Sequence, residues 1–285
     1  MPLRLKLALS YLLIGLIPVL AMAFVVYQQA SEALRVQTLN ALEAVANIKQ
    51  QQLLDNWQER HNQISTLASN LSNSYDGLDT NALLSSSNYD RPIFENFIAT
   101  FGYRELKLVL PDGTVMFSLR RGDDYQNNLG SQALRNTPLA RLVKQSAEQR
   151  QILISDLLYN QLSQAPTQYL AAPIGSGDEL QMTLVLELPI APLNAVMQTR
   201  QGLGEQGETY LVGSDSRLRS DSVRFPDLQV NRSLSPSTAL TANAIDRALA
   251  GQQGRLEAAG PDGNPALKVS VPLERAGNPW ALIAE

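Results

Sequence analysis

The densest run of side chains able to hold a small solute is Ser118-Leu119-Arg120-Arg121-Gly122-Asp123-Asp124-Tyr125, continued by Gln126, Asn127 and Asn128. Ser118 and Arg120 lie two residues apart, so on a strand they share one face. Asp123, Asp124 and Tyr125 fall in the loop that follows. A guanidinium takes a carboxylate through paired hydrogen bonds, an aspartate accepts an amine, and a phenol walls a pocket while donating its hydroxyl. Those are the tools for binding an amino acid, an organic acid or an amine. The alternative is a solvated loop whose opposite charges pair among themselves. Asp156 and Tyr169, with Tyr159, lie at or beside segments expected to be strands that close the same pocket. Arg219 and Asp221 also face one way, and an ion pair fastening a hairpin is their expected role. Trp57 and Trp280 are expected to pack, and His61, in a polar stretch, to lie at a surface or interface.

Most other chemistry lacks its residues. The 285-residue chain has no Cys and a single His, which removes thiol catalysis, Cys-based zinc sites and multi-His metal sites. Neither G-x-S-x-G nor H-E-x-x-H occurs, so no hydrolase machinery is expected. Gly202, Gly204 and Gly207 fit G-x-G-x-x-G, but a dinucleotide fingerprint needs a strand before it and a helix after it, and here that order is reversed. With 23 Lys plus Arg against 27 Asp plus Glu there is no basic surplus to neutralise phosphates, so nucleic acid is not an expected partner. The sequence predicts no enzyme, no catalytic residue, no metal and no cofactor.

The elements that would position such a pocket begin at a membrane. Residues 7–27 contain no charge, and about 20 apolar residues suffice to span a hydrocarbon core. Arg4 and Lys6 precede the run and Glu32 is the first charge after it, so the N-terminus is expected in the cytoplasm and the bulk outside. A cleaved signal peptide is the competing reading, with Ala21-Met22-Ala23 as its cleavage site. Residues 19–76 hold neither Gly nor Pro, which predicts one helix running out of the membrane to about residue 71. Leu39, Leu42, Ala46, Leu53, Trp57, Ile64, Leu67 and Leu71 form one stripe along it. The stripe needs a second copy of the helix or a globular domain against it, and Lys49 to Gln52 interrupt a simple coiled coil. Residues 70–88, rich in Ser and Asn, are expected to be loop.

Beyond the stalk the pattern runs twice. Pro92 to Phe101 predicts a short helix, then two strands flank Pro111-Asp112-Gly113, a helix opens at Thr137-Pro138, and two strands follow near residues 168–173 and 180–188. The last alternates Leu180, Met182, Leu184, Leu186 and Leu188 with Gln181, Thr183, Val185 and Glu187, which predicts a half-buried antiparallel strand. After a short helix or turn near residues 189–197, the second round has strands about Gly213-Ser214-Asp215, a helix at residues 239–250, a strand at 255–259, a Pro261-Asp262-Gly263 turn, a strand at 266–272 and a last strand at 280–284. Two similar α+β modules are expected.

Three stretches carry a resemblance to a known family: MPLRLKLALSYLLIGLIPVLAM, ALEAVANIKQQQLLDNWQER and GLGEQGETYLVGSDSRLRSDS. Together they resemble the double Cache sensor region of bacterial methyl-accepting chemotaxis proteins and related transmembrane transducers. The family more often has Asp-Gly where this chain has Asp215-Ser216, which puts that hairpin's turn type in question. The resemblance implies an α+β fold: an N-terminal transmembrane helix continuing into a long stalk helix, with two PAS-like (Cache) antiparallel-sheet modules. The corresponding division is 1–27 for the span, 28–75 for the stalk, 76–197 for a membrane-distal module and 198–285 for a membrane-proximal one. The distal module is expected to hold the small-molecule ligand, on Ser118, Arg120, Asp123, Asp124, Tyr125, Asp156 and Tyr169. Further expectations are an inner-membrane location, a periplasmic sensor and a homodimer through the long helix. No output domain follows within the 285 residues, so a sensor fragment is expected, feeding a chemotaxis output, a histidine kinase or a nucleotide cyclase. A structural dimerisation module without ligand is the remaining alternative.

Overall fold

The computed structural model describes residues 3–160, 165–175, 179–230, 242–260, 263–274 and 278–285. The chain opens with α1 (Leu3–Tyr75), a single helix of 73 residues, about 110 Å at the ordinary rise per residue. Its N-terminal part is long and apolar enough to cross a membrane, with Pro18 inside it. Farther along, the predicted stripe is the buried one: Leu42, Ala46, Leu53, Ile64, Leu67 and Leu71 are all covered, with Leu39 and Trp57 packed alongside. What covers them is the globular part of the same chain. Lys49, a break in the apolar stripe, is 3% exposed and donates to the carbonyls of Met197 (2.7 Å) and Thr199 (2.6 Å) and to Thr209 Oγ1 (2.7 Å). Gln50 Nε2 donates to the carbonyl of Pro272 at 2.6 Å. Two of the polar interruptions, Lys49 and Gln50, are therefore docking points, while Gln51 and Gln52 are exposed.

The helix extends four residues past the predicted end, and it and α2 (Thr80–Tyr89) together occupy most of the Ser/Asn-rich stretch expected to be loop. Asp79 caps α2 by accepting from Ala82 N, and Leu83 and Ser87 are its buried residues. Inside the fold the Ser87 hydroxyl is satisfied by the Leu83 carbonyl one turn back, at 2.7 Å. Next come α3 (Arg91–Phe101), β1 (Glu105–Val109), β2 (Val115–Ser118), α4 (Pro138–Gln149), β3 (Leu153–Ile154), β4 (Leu158–Asn160), β5 (Ala165–Ile174) and β6 (Met182–Leu188). Thr137 caps α4 through Ala140 N, with Pro138 at the tolerated first position.

Among the described residues these strands make one antiparallel sheet in the order β2-β1-β6-β5-β3, with β4 paired to β5. One face, carrying Leu106, Leu108, Leu184 and Leu186, packs on α1, α2 and α3; the other, carrying Val109, Val185, Tyr169 and Ala171, packs on α4. Every residue of β6 is buried. This corrects the expectation of a half-buried strand: Thr183, Val185 and Glu187 face the α4 layer.

The second round begins with α5 (Ala191–Gln198) and runs through β7 (Thr209–Gly213), α6 (Ala242–Leu249), β8 (Gly254–Ala259), β9 (Pro265–Leu273) and β10 (Trp280–Ala284). The order β7-β10-β9-β8 repeats that of the first sheet, and again α1 and a short helix cover the two faces. Where a strand was expected at 218–222, only a Val212↔Leu218 bridge forms. Ser216 takes the left-handed conformation (φ 59°) that Gly more often supplies. Residues 261–262 of the last predicted turn lie outside the described residues, while Gly263 has φ 80°. Gly202 and Gly204, at φ 83° and 70°, shape the turns leading into β7, with no helix following.

Candidate ligand-binding site

The α4 face of the first sheet carries charge at its edge. Glu105 and Lys107 alternate with Leu106 and Leu108 on β1, and the register Glu105↔Glu187 and Glu187↔Tyr169 sets three side chains in a row across β1, β6 and β5. These residues floor a cavity of about 350 Å³. Arg120, Asp123 and Asp124 form one wall, and Leu129, Leu134, Pro138 and Leu139 the other. The volume suits a metabolite, at the small end of ordinary ligand pockets.

Two devices hold the walls in place. The Glu105 carboxylate accepts from the backbone N–H groups of Leu106 (2.8 Å), Leu119 (2.9 Å) and Arg120 (3.1 Å) and from the Ser118 hydroxyl (3.2 Å). It thereby fixes the end of β2, and with it the origin of the Arg120 side chain. The following loop is pinned by Asn127 Nδ2 donating to the Asp123 carbonyl and Asn128 Nδ2 to the Asp112 carbonyl, each at 2.8 Å. Arg121 and Gln126 sit in the left-handed region (φ 52° and 61°) to let that loop turn.

The charges in the cavity are not mutually cancelled. Lys107 is paired with Asp124 Oδ2, both buried. Asp124 Oδ1 is buried with no hydrogen-bond donor. Burial pushes the Glu187 carboxyl up against the opposing pull of Lys107 and Arg104, whose Nε stands 3.6 Å away, beyond a good hydrogen bond. Among the described residues no side-chain hydrogen bond or ion pair holds the Arg120 guanidinium. One open cation therefore stands across from under-satisfied carboxylate oxygens, an arrangement that matches a small molecule bearing both an acid and an amine.

Of the residues singled out from sequence, Arg120, Asp123, Asp124 and Tyr169 line this cavity. Ser118 lies beneath it, spent on Glu105. Tyr125 turns outward against Arg121, 5.7 Å from its ring, and is not among the lining residues. The Tyr159 side chain lies outside the described residues. Asp156 is elsewhere altogether. Its carboxylate accepts from Arg219 Nε (2.8 Å), Arg219 Nη2 (2.7 Å) and Trp280 Nε1 (2.8 Å), joining the first sheet to the second. Burial alone would raise the Asp156 carboxyl, but Arg219, the Trp280 indole and the Leu157 N–H together hold it below the usual range. The Arg219–Asp221 pair expected from sequence does not form: Arg219 takes Asp156 and Asp215, while Asp221 accepts from Asn194 Nδ2 and Val230 N. Trp280 also meets Trp57 of α1 edge to face, ring centres 5.6 Å apart. His61 is exposed on α1.

Sequence reasoning missed Arg104, Lys107 and Glu187. Their signal was present in a lysine inside Glu105-Leu106-Lys107-Leu108-Val109 and a glutamate ending Leu184-Val185-Leu186-Glu187-Leu188: charges in strands otherwise apolar.

No protein-family profile matches the sequence, and no curated protein matches it by sequence. Solved structures do match by fold. The ligand-binding domain of the Pseudomonas aeruginosa amino acid chemoreceptor PctC, in complex with GABA, is 15% identical, with a TM-score of 0.60 over 87% of this chain and 98% of that one. The ligand-binding domain of the Campylobacter jejuni chemoreceptor Tlp3, in complex with 4-methylisoleucine, is 12% identical, with a TM-score of 0.64 over 88% and 92%. That of the Pseudomonas fluorescens chemoreceptor CtaA, in complex with L-isoleucine, is 12% identical, with a TM-score of 0.60 over 89% and 93%. The long helix with two antiparallel sheets is the α+β sensor fold of bacterial chemoreceptor ligand-binding domains, in agreement with the double Cache architecture that the sequence resembles.

Proposed function

We propose that this chain is the extracytoplasmic ligand-sensing region of a bacterial chemoreceptor and that its ligand is a small amino acid held in the first-sheet cavity. The observation that carries this is the pairing, inside one metabolite-sized cavity, of the open Arg120 guanidinium with Glu187 and the unpartnered Asp124 Oδ1. Arg120 takes the ligand's carboxylate; Glu187 and Asp124 take its ammonium; Tyr169 and the Leu129–Leu139 wall exclude water. The chemoreceptor domains that share the fold are bound to GABA and to branched amino acids, which supports the same ligand class here.

In this reading residues 1–27 anchor the chain with the N-terminus in the cytoplasm, 28–75 form the stalk, 76–197 the membrane-distal module and 198–285 the membrane-proximal one, all of it beyond the span in the periplasm. The protein is not an enzyme and works as a homodimer through α1. Ligand shifts signalling only through different affinity for two arrangements of the modules against α1, and the Asp156–Arg219–Trp280–Trp57 junction is where such arrangements would differ. Isothermal titration of the full chain in detergent micelles against the standard amino acids and 4-aminobutyrate tests the proposal. Saturable binding that disappears in Arg120→Ala supports it; no heat with any of them at millimolar concentration overturns it.

A further inference from the structure

The first-sheet cavity holds more acid than base. Among the described residues it is lined by three cations, Arg104, Lys107 and Arg120, and by four carboxylates, Glu105, Asp123, Asp124 and Glu187, a net charge of −1. Local pairing does not use up that surplus. Lys107 is taken by Asp124 Oδ2, and Arg104 leans on Glu187 Oε1 from 3.6 Å. Glu105 is filled by its four donors, the N–H groups of Leu106, Leu119 and Arg120 and the Ser118 hydroxyl. What stays open is one guanidinium, Arg120, facing acceptor oxygens on three residues: Glu187, Asp124 and Asp123. A neutral amino acid has one carboxylate for Arg120 and one ammonium for Glu187 and Asp124 Oδ1. Asp123 is then left over.

The loop does not need the Asp123 carboxylate. It is closed by Tyr125 N donating to the Gly122 carbonyl (2.8 Å), by Asn127 N donating to the Asp124 carbonyl (3.1 Å), and by the Asn127 side-chain amide donating to the carbonyl of Asp123 itself (2.8 Å). These bonds fix the main chain at Asp123, and among the described residues no hydrogen bond or ion pair engages its side chain. Asp123 is exposed and also lines the cavity, which puts it at the mouth, on the same wall as Arg120 and Asp124. On the other wall Leu129, Leu134, Pro138 and Leu139 offer no charge. An apolar wall running to a charged mouth suits an aliphatic stem that ends in a cation.

We infer that the ligand of this cavity is a compact basic amino acid, such as ornithine or lysine, with its carboxylate on Arg120, its α-ammonium on Glu187 and Asp124 Oδ1, its methylenes along the Leu129–Leu139 wall and its terminal ammonium on Asp123. The inference rests on the proposed reading of the cavity as an amino-acid site; the charge of the lining selects within that class. A ligand of net charge +1 neutralises the lining, a neutral one leaves the surplus, and an acidic one adds to it. The cavity volume of about 350 Å³ favours the shorter members of the class.

The test compares ligands that differ only in the terminal ammonium. The full chain in micelles is titrated calorimetrically with ornithine against norvaline, with lysine against norleucine, and with glutamate, as wild type, Arg120→Ala and Asp123→Asn. In wild type at least one basic ligand should bind about fivefold tighter than its neutral isostere, the upper end of what a partly exposed ion pair supplies. Asp123→Asn should bring that preference to within about twofold of unity. Norvaline, norleucine or glutamate binding as tightly as the basic ligands, with Arg120→Ala abolishing the binding, overturns the basic ligand and sustains the amino-acid site. A preference for the basic ligand that Asp123→Asn leaves unchanged overturns the role of Asp123. No binding of any of the five overturns both this inference and the reading beneath it.

Discussion

Replacing Asp156 by Ala should separate the two sheets energetically. The carboxylate accepts two hydrogen bonds from Arg219 and one from the Trp280 indole, all within 2.8 Å, so its loss orphans two donors at once. The Arg219 side chain is 2% exposed, and its remaining ionic partner, Asp215, is 40% exposed. Removing one member of a buried pair costs about 3–5 kcal/mol because the other charge stays buried. The stranded indole N–H adds to that, but the two share one carboxylate, so the costs do not sum. A loss of about 4 kcal/mol is therefore expected for Asp156→Ala, and less for Asp156→Asn, which keeps one acceptor oxygen. Guanidinium denaturation of the full chain in micelles measures it, and the cycle with Arg219→Ala should return a coupling of about 2 kcal/mol or more. The pH dependence has a defined sign. The folded-state carboxyl is held below its unfolded value, so the contribution is complete above the unfolded pKa of about 4 and is lost as pH falls through the lower folded value. A loss under about 1 kcal/mol with no coupling would refute the reasoning, since it would mean solvent already reaches Arg219.

Three other perturbations separate the elements of the account. Lys49→Met removes a donor from the Met197 carbonyl, which keeps the Thr209 hydroxyl at 2.7 Å, and from the Thr199 carbonyl and Thr209 Oγ1, and should lower denaturation stability by about 1–3 kcal/mol despite adding apolar volume. Glu105→Gln weakens the clamp on Ser118, Leu119 and Arg120, and should reduce ligand affinity about tenfold by calorimetry although Glu105 need not touch the ligand. Affinity for a zwitterion should fall on acidification at a pH above the ordinary glutamate range, because burial raises the Glu187 carboxyl and the protonated form no longer attracts an ammonium; Glu187→Gln should flatten that profile.

Much of the architecture is legible in the residues because it follows from local chemistry. Charge-free length marks the part of α1 that is long and apolar enough to cross a membrane, i,i+3 and i,i+4 apolar spacing marks the buried face of α1, and Thr137-Pro138 marks the start of α4. What escaped were features decided by partners distant in sequence. The α2 helix is written in Ser and Asn, poor helix formers in isolation, and depends on the Asp79 cap and on burying Leu83. Alternation in β6 read as one wet face because Glu187 and Thr183 are polar, yet α4 covers them. Arg219 has a carboxylate two residues away and instead takes one 63 residues away, a choice no local pattern encodes. In the site, the loop residues Arg120, Asp123 and Asp124 were legible as a polar cluster beside a strand, whereas the floor was not, because Lys107 and Glu187 sit inside strands made mostly of apolar residues.

A crystal structure of the chain grown with the amino acid that gives the strongest calorimetric signal bears most directly on the central proposal. The account predicts density in the first-sheet cavity, with the ligand carboxylate about 3 Å from the Arg120 guanidinium and its ammonium at hydrogen-bond distance from Glu187 or Asp124 Oδ1. An empty first cavity at saturating ligand, with Arg120 directed into solvent, would contradict it.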